Sequence, residues 1–105
     1  FYGCSLLKSI DMSSFKTPNV TNVCNMFNMC YALTSLDLSN FDTSKVTNMN
    51  WTFSNLRSLK TLTLGENFAF YGTVHGLTGT WVNSAREEFD AKEIPGNVAD
   101  TYTKI

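Results

Sequence analysis

Apolar residues recur along this chain in two alternating rhythms. In Ser35-Leu36-Asp37-Leu38-Ser39 the period is two, with Leu36 and Leu38 on one face and Ser35, Asp37 and Ser39 on the other. That alternation predicts a short half-buried strand. Ser9-Ile10-Asp11-Met12-Ser13 and Thr61-Leu62-Thr63-Leu64-Gly65 repeat it. Between these runs the steps lengthen to three and four: Val20, Val23, Phe27, Cys30 and Leu33, then Val46, Met49, Phe53, Leu56 and Leu59. Such spacing predicts amphipathic helices. Thr17 is the candidate N-cap of the first, with Pro18 at its opening position, and Thr43 and Ser44 take those places in the second.

Both rhythms belong to one longer period, which carries Phe1 onto Phe27 and Phe27 onto Phe53. Residues 1–26 laid over 27–52 agree without a gap at Phe1, Cys4, Leu7, Ser9, Asp11, Ser13, Phe15, Thr17, Val20, Thr21 and Asn22. The third unit continues the pattern through Leu64. Stacking units buries apolar sides that no unit can bury alone. The reading is an α/β chain: a leucine-rich-repeat-like solenoid over residues 1–65, with parallel strands on one wall and helices on the other. Phe15 and Phe41 are expected to form an inward aromatic spine.

Residues 66–105 have another texture and read as a mixed C-terminal capping segment. Phe68-Ala69-Phe70, Thr80-Trp81-Val82 and Thr101-Tyr102-Thr103-Lys104-Ile105 are strand candidates. A short helix is expected within Ser84–Ala99, cut by Pro95-Gly96. Phe68, Trp81 and Tyr102 are the candidates to cover the open end of the core. Phe1 falls in mid-unit, so further repeats of the same chain are expected upstream.

Composition narrows the function. Hydrophobic residues make up 43% of the chain, enough for a core, but charged residues make up only 16%, below the usual quarter or so. Asn, Thr and Ser fill the difference. The formal net charge of −1 argues against a nucleic-acid partner, which calls for a basic surplus. No apolar run approaches the roughly 20 residues that cross a bilayer as a helix, so no membrane insertion is expected.

The repeat itself resembles a known family. The run Ser35-Leu36-Asp37-Leu38-Ser39-Asn40-Phe41-Asp42-Thr43-Ser44-Lys45-Val46-Thr47-Asn48-Met49, preceded by Met26-Phe27-Asn28-Met29-Cys30, is similar to the repeat of the BspA-like bacterial surface proteins, a leucine-rich-repeat group. Gly79-Thr80-Trp81 and Thr101-Tyr102-Thr103 resemble the tail that often follows such repeats. The resemblance implies an extracellular or cell-surface protein that binds host or neighbouring-cell components without catalysis.

The candidate binding face is the outward side of the strands. Its columns are Lys8, Thr34 and Lys60; Ser9, Ser35 and Thr61; Asp11, Asp37 and Thr63; and Ser13 with Ser39, ending at Gly65. The expected partner is a protein, cell-surface or matrix ligand. The alternative is a stalk or spacer that binds nothing, with the short polar side chains serving only the sheet. One His and three Cys leave little for a metal site, so no metal or cofactor is expected. Cys4 and Cys30 lie one repeat apart and read as small buried hydrophobes, with a disulfide between them left open. Cys24 reads as a partly exposed free thiol. His75, between Gly72 and Gly76, reads as a surface-loop residue. A catalytic role for it beside Glu87, Glu88 or Asp90 is the least supported reading. Trp51 aligns with the polar Asn25 and is expected to cover a helix flank, the alternative being an exposed contact anchor.

Overall fold

A computed structural model of the chain describes residues 1–12 and 17–105. The alternating runs form strands as their pattern requires: β1 (Ser35–Leu38) and β2 (Thr61–Leu64) each bury two Leu and leave the residues between them facing outward. They pair in parallel, Leu36 beside Leu62 and Leu38 beside Leu64, one repeat apart. The C-terminal segment supplies β3 (Thr80–Val82), β4 (Glu88–Asp90) and β5 (Asp100–Lys104). β5 pairs antiparallel with β2, and β3 then pairs with β5 and β4, giving one mixed sheet in the order β1-β2-β5-β3-β4.

The helices do not form. No helix is present among the described residues, so the α/β expectation is corrected to all-β. The helix-bearing solenoid falls with it: the molecule measures 32 × 29 × 26 Å, with no long axis. The reason lies in the backbone of the two presumed helical stretches. Chain-reversing hydrogen bonds run from the N–H of Met26 to Val23 O, Cys30 to Phe27 O, and Thr52 to Met49 O. The third residue of each such turn is left-handed: Asn25 (φ 61°), Met29 (φ 65°) and Trp51 (φ 56°). That combination is a type II turn. Consecutive turns of this kind throw apolar side chains inward at nearly helical spacing.

The remaining N–H groups leave the unit altogether. Val23, Asn25, Phe27 and Met29 donate to the carbonyls of Asn48, Asn50, Thr52 and Ser54 in the next unit, at 2.9–3.2 Å. In a helix they would have bonded one turn back along their own segment. Here pairing between units takes their place. Thr17 and Thr43 are not N-caps either. The Thr17 hydroxyl accepts the Asp42 N–H at 2.8 Å and donates to the Asp42 carbonyl at 3.2 Å. The Thr43 hydroxyl accepts the Ala69 N–H at 2.9 Å and donates to the Ala69 carbonyl at 3.1 Å. Each threonine clips its unit to the following one.

Those two clips also account for the break in the repeat. The sequence separation is 25 from Thr17 to Asp42 but 26 from Thr43 to Ala69, so the third unit carries one extra residue here. Phe68 thereby takes the structural place of Phe41, and both are buried. Phe41 is buried, as the expected inward position requires, and a separate aromatic column starts at the exposed Phe1 and enters the core. Phe1, Phe27 and Phe53 stack with ring centroids 6.0 Å apart at each step. Phe15 lies outside the described residues.

Two further expectations need correction. Residues 9–12 are irregular rather than a strand; the Lys8 carbonyl accepts the Thr34 N–H, but no ladder follows among the described residues. Residues 68–70 are not a strand, and the stretch 84–99 holds β4 and turns in place of a helix. The expected covering residues Phe68, Trp81 and Tyr102 are all buried.

Candidate functional site

Strand alternation sends Leu36, Leu62, Tyr102 and Trp81 into the core and presents their neighbours on the opposite face. One transverse row on that outer face reads Ser35, Thr61, Thr103, Val82 and Glu88. The next reads Asp37, Thr63 and Thr101, with the Thr63 and Thr101 hydroxyls bonded at 3.2 Å. Thr61 and Thr63 are half-buried; Ser35, Asp37, Thr101 and Thr103 are exposed. The surface is short-chained and rich in hydroxyls, suited to hydrogen bonding.

The structure joins part of the expected face and removes one column from it. Thr34 and Lys60 are linked through the Lys60 N–H and Thr34 carbonyl, and Lys8 lies beside Thr34, but alternation puts Thr34 and Lys60 on the side of Leu36 and Leu62 rather than on the outer face. Ser35 and Thr61, and Asp37 and Thr63, are register partners. Asp11, Asp37 and Ser39 meet with Ile10, Met12 and Asn40 around a cleft of about 280 Å³. The Asp37 carboxylate accepts the Ser39 N–H at 2.9 Å, a turn-forming bond. Ser9 is exposed but belongs to no strand, and Ser13 lies outside the described residues. No group of three or more potential metal ligands occurs among the described residues.

Sequence reading missed Thr101 and Thr103. The Thr101-Tyr102-Thr103 alternation matches Thr61-Leu62-Thr63, but nothing in it named β2 as the partner strand. The pairing sets four threonines side by side on two adjacent strands.

His75 is not a surface-loop residue: it is 2% exposed. Its ring lies 4.5 Å from that of Phe70, and its Nδ1 accepts the Leu77 N–H at 3.2 Å. Burial holds its pKa below the ordinary 6.5, with Lys92 adding to the effect. Its carbonyl accepts the Phe53 N–H and that of Val74 accepts the Trp51 N–H, both at 2.8 Å. Gly76 (φ 88°) lets this segment close in; a Cβ there would collide with the Ser54 hydroxyl. His75 is built into the core wall, with one ring nitrogen held by backbone.

The three cysteines are free thiols. Cys30 is buried and its Sγ donates to the Phe1 carbonyl, and burial raises its pKa. Cys4 and Cys24 are half-buried. Trp51 is 52% exposed, on a turn rather than a helix.

One end of the stack differs from the other. The carbonyls of Asn22, Cys24 and Met26 are the equivalents of those at Asn48, Asn50 and Thr52, yet meet no backbone donor among the described residues. Beside them lies a groove of about 430 Å³ whose walls include Thr17, Val20, Val23, Met26 and Phe41.

Residues 1–69 match the family described as "Mycoplasma protein of unknown function, DUF285". The chain belongs to the DUF285 family. The match covers the units that carry β1 and β2 and stops just past Phe68, so the DUF285 region includes the Thr43–Ala69 clip. No curated protein and no solved structure matches the chain.

Proposed function

We propose that this DUF285 chain is a non-enzymatic recognition module of a BspA-like bacterial surface protein, working outside the cell. Its ligand is a protein or matrix component held at the polar outer face of the sheet. The observation that carries this reading is the unbroken row of short hydroxyl and carboxylate side chains from Asp37 through Thr63 to Thr101. Membership of DUF285 and the family-like repeat run give it its setting. Further units upstream belong to the same reading; the open carbonyls of Asn22, Cys24 and Met26 support them, since donors placed like those of Val23, Asn25 and Phe27 would fill them.

The test is attachment to immobilised matrix extract. Asp37→Ala combined with Thr101→Ala should abolish attachment while leaving the chain folded, at a cost of about 1–3 kcal/mol for the two exposed hydrogen bonds removed. Attachment that survives these changes defeats the recognition reading. A spacer is the second reading. It is favoured by the internal use of face groups, Thr63 with Thr101 and Asp37 with the Ser39 backbone. A spacer predicts that the unaltered chain attaches to no extract.

A further inference from the structure

The start of the sheet carries a second transverse row, and it is basic. Backbone hydrogen bonds join Lys8 to Thr34, Thr34 to Lys60, and Lys60 to Lys104, at 3.3, 2.9 and 2.9 Å. Neighbouring strands lie about 4.8 Å apart, so three lysines fall within about 15 Å along one margin. By strand alternation Lys60 and Lys104 share the side of Leu62 and Tyr102, just beyond the last core residues. Lys8, Thr34 and Lys60 are exposed, and Lys104 is half-buried. Gly79 (φ 96°) makes room for the Lys104 stem; a Cβ there would come within 2.6 Å of its Cε.

None of the three lysines is held in a side-chain hydrogen bond or ion pair among the described residues. By contrast the Lys45 ammonium donates to Asn19 Oδ1 at 3.0 Å. The acidic groups of the sheet lie elsewhere. Asp37 and Asp100 sit toward the opposite end of their strands, Asp100 beside Leu64. Asp90 is at this end but two strands beyond β5, and its carboxylate accepts the Lys92 N–H. Three cations lined up without counter-charges in a chain of net charge −1 is segregation, not a uniform surface.

We propose that this Lys8–Lys60–Lys104 margin binds an anionic glycan strand laid along the edge of the sheet, a surface apart from the hydroxyl face, so that the proposal goes beyond the recognition reading. A linear polyanion fits three lysines whose backbones follow one another along a margin, and Thr34, between Lys8 and Lys60, carries a hydroxyl that suits a sugar hydroxyl. A single-stranded nucleic acid fits less well, because it needs aromatic faces for its bases. Tyr31, three residues before Thr34, already carries the Arg57 guanidinium over its ring at 4.4 Å.

The experiment is a titration of the chain with heparin across a salt series, with uncharged dextran alongside. Three released counterions predict a log–log salt slope of about −2 to −3. Lys60→Gln should reduce that slope by just under one, and Lys8→Gln/Lys60→Gln/Lys104→Gln should weaken binding about a hundredfold. Lys45→Gln should leave both unchanged. The proposal is overturned if the triple variant binds like the parent, if Lys45→Gln weakens binding equally, or if dextran or oligo(dT) binds as tightly as heparin. Failure of heparin binding while the Asp37/Thr101 variant still loses matrix attachment removes the glycan and leaves the recognition module. Heparin binding with matrix attachment intact in that variant does the reverse.

Discussion

Phe53 lies between two regions that solve one packing problem differently. On one side it stacks on Phe27, its own equivalent one unit earlier, at an interplanar angle of 22°. On the other it meets Phe68 and Phe70 edge-on, at 64° and 71°. Backbone pairing divides in the same way. Toward the following unit, Val23, Asn25, Phe27 and Met29 donate to carbonyls at one repeated offset. Toward the C-terminal segment, Trp51 and Phe53 donate to Val74 and His75, which resemble no repeat residue. Repetition supplies complementarity without further design, because a unit that fits its copy fits the next one. Ending the series takes unlike residues, each placed individually.

That contrast can be broken at the column. Phe27→Ala should cost about 3–5 kcal/mol, since the ring is fully buried and stacked on both sides, measured by chemical denaturation. Phe70→Ala, at a half-buried ring in the C-terminal segment, should cost about half as much. Equal losses would mean the repeated and unrepeated walls are energetically alike.

The C-terminal wall alone should respond to mild acid. His75 has its folded pKa below 6.5, so the unfolded chain binds the proton first as pH falls. Stability is therefore full above about pH 6.5 and declines below it, by up to about 1.4 kcal/mol per pH unit, until the folded state also protonates. Asp42 and Asp100 have lowered pKa values set chiefly by hydrogen bonds from Ser44 and Ser84, and act in a more acidic window. His75→Asn keeps an acceptor for the Leu77 N–H and should flatten the melting-temperature profile between about pH 7 and 5. A profile unchanged by that substitution would show that the His75 wall is not what titrates.

The smallest effect compares one repeat position in two units. Asn25 and Trp51 are both left-handed, and Asn tolerates that conformation better than Trp. Trp51→Asn should raise stability by about 0.5–1 kcal/mol, read from the denaturation midpoint. A loss would mean that the half-exposed indole packs more favourably than its backbone strain costs.

How much of this could be read beforehand follows from what kind of signal each element leaves. Leu36/Leu38 and Leu62/Leu64 announced β1 and β2, because alternation has one structural cause. Thr80–Val82 and the Thr101–Lys104 run were legible for the same reason. The turns were not, since Val46, Met49, Phe53 and Leu56 suit a helix as well as a turn series of similar period. A countersignal was present in Asn25, Asn28, Asn48, Asn50 and Asn55, which disfavour helix interiors and tolerate left-handed turns. Their hydrogen bonds to a neighbouring unit decided the matter, and such bonds leave no trace within a single unit. Of the outer face, Ser35, Asp37, Thr61 and Thr63 were legible by alternation. Thr101, Thr103 and the place of Lys104 beside Lys60 were not, because they depend on which strand β5 joins.

The N–H groups that point from one unit to the next give the molecule a mechanical grain. Bonds within a turn hold each unit's shape, while bonds between units run along the stack and carry tension applied in that direction. A pull on the chain would therefore peel units in sequence, parting a short ladder each time. Each release would free one unit, about 90 Å of extended chain, and leave the next ladder to bear the load.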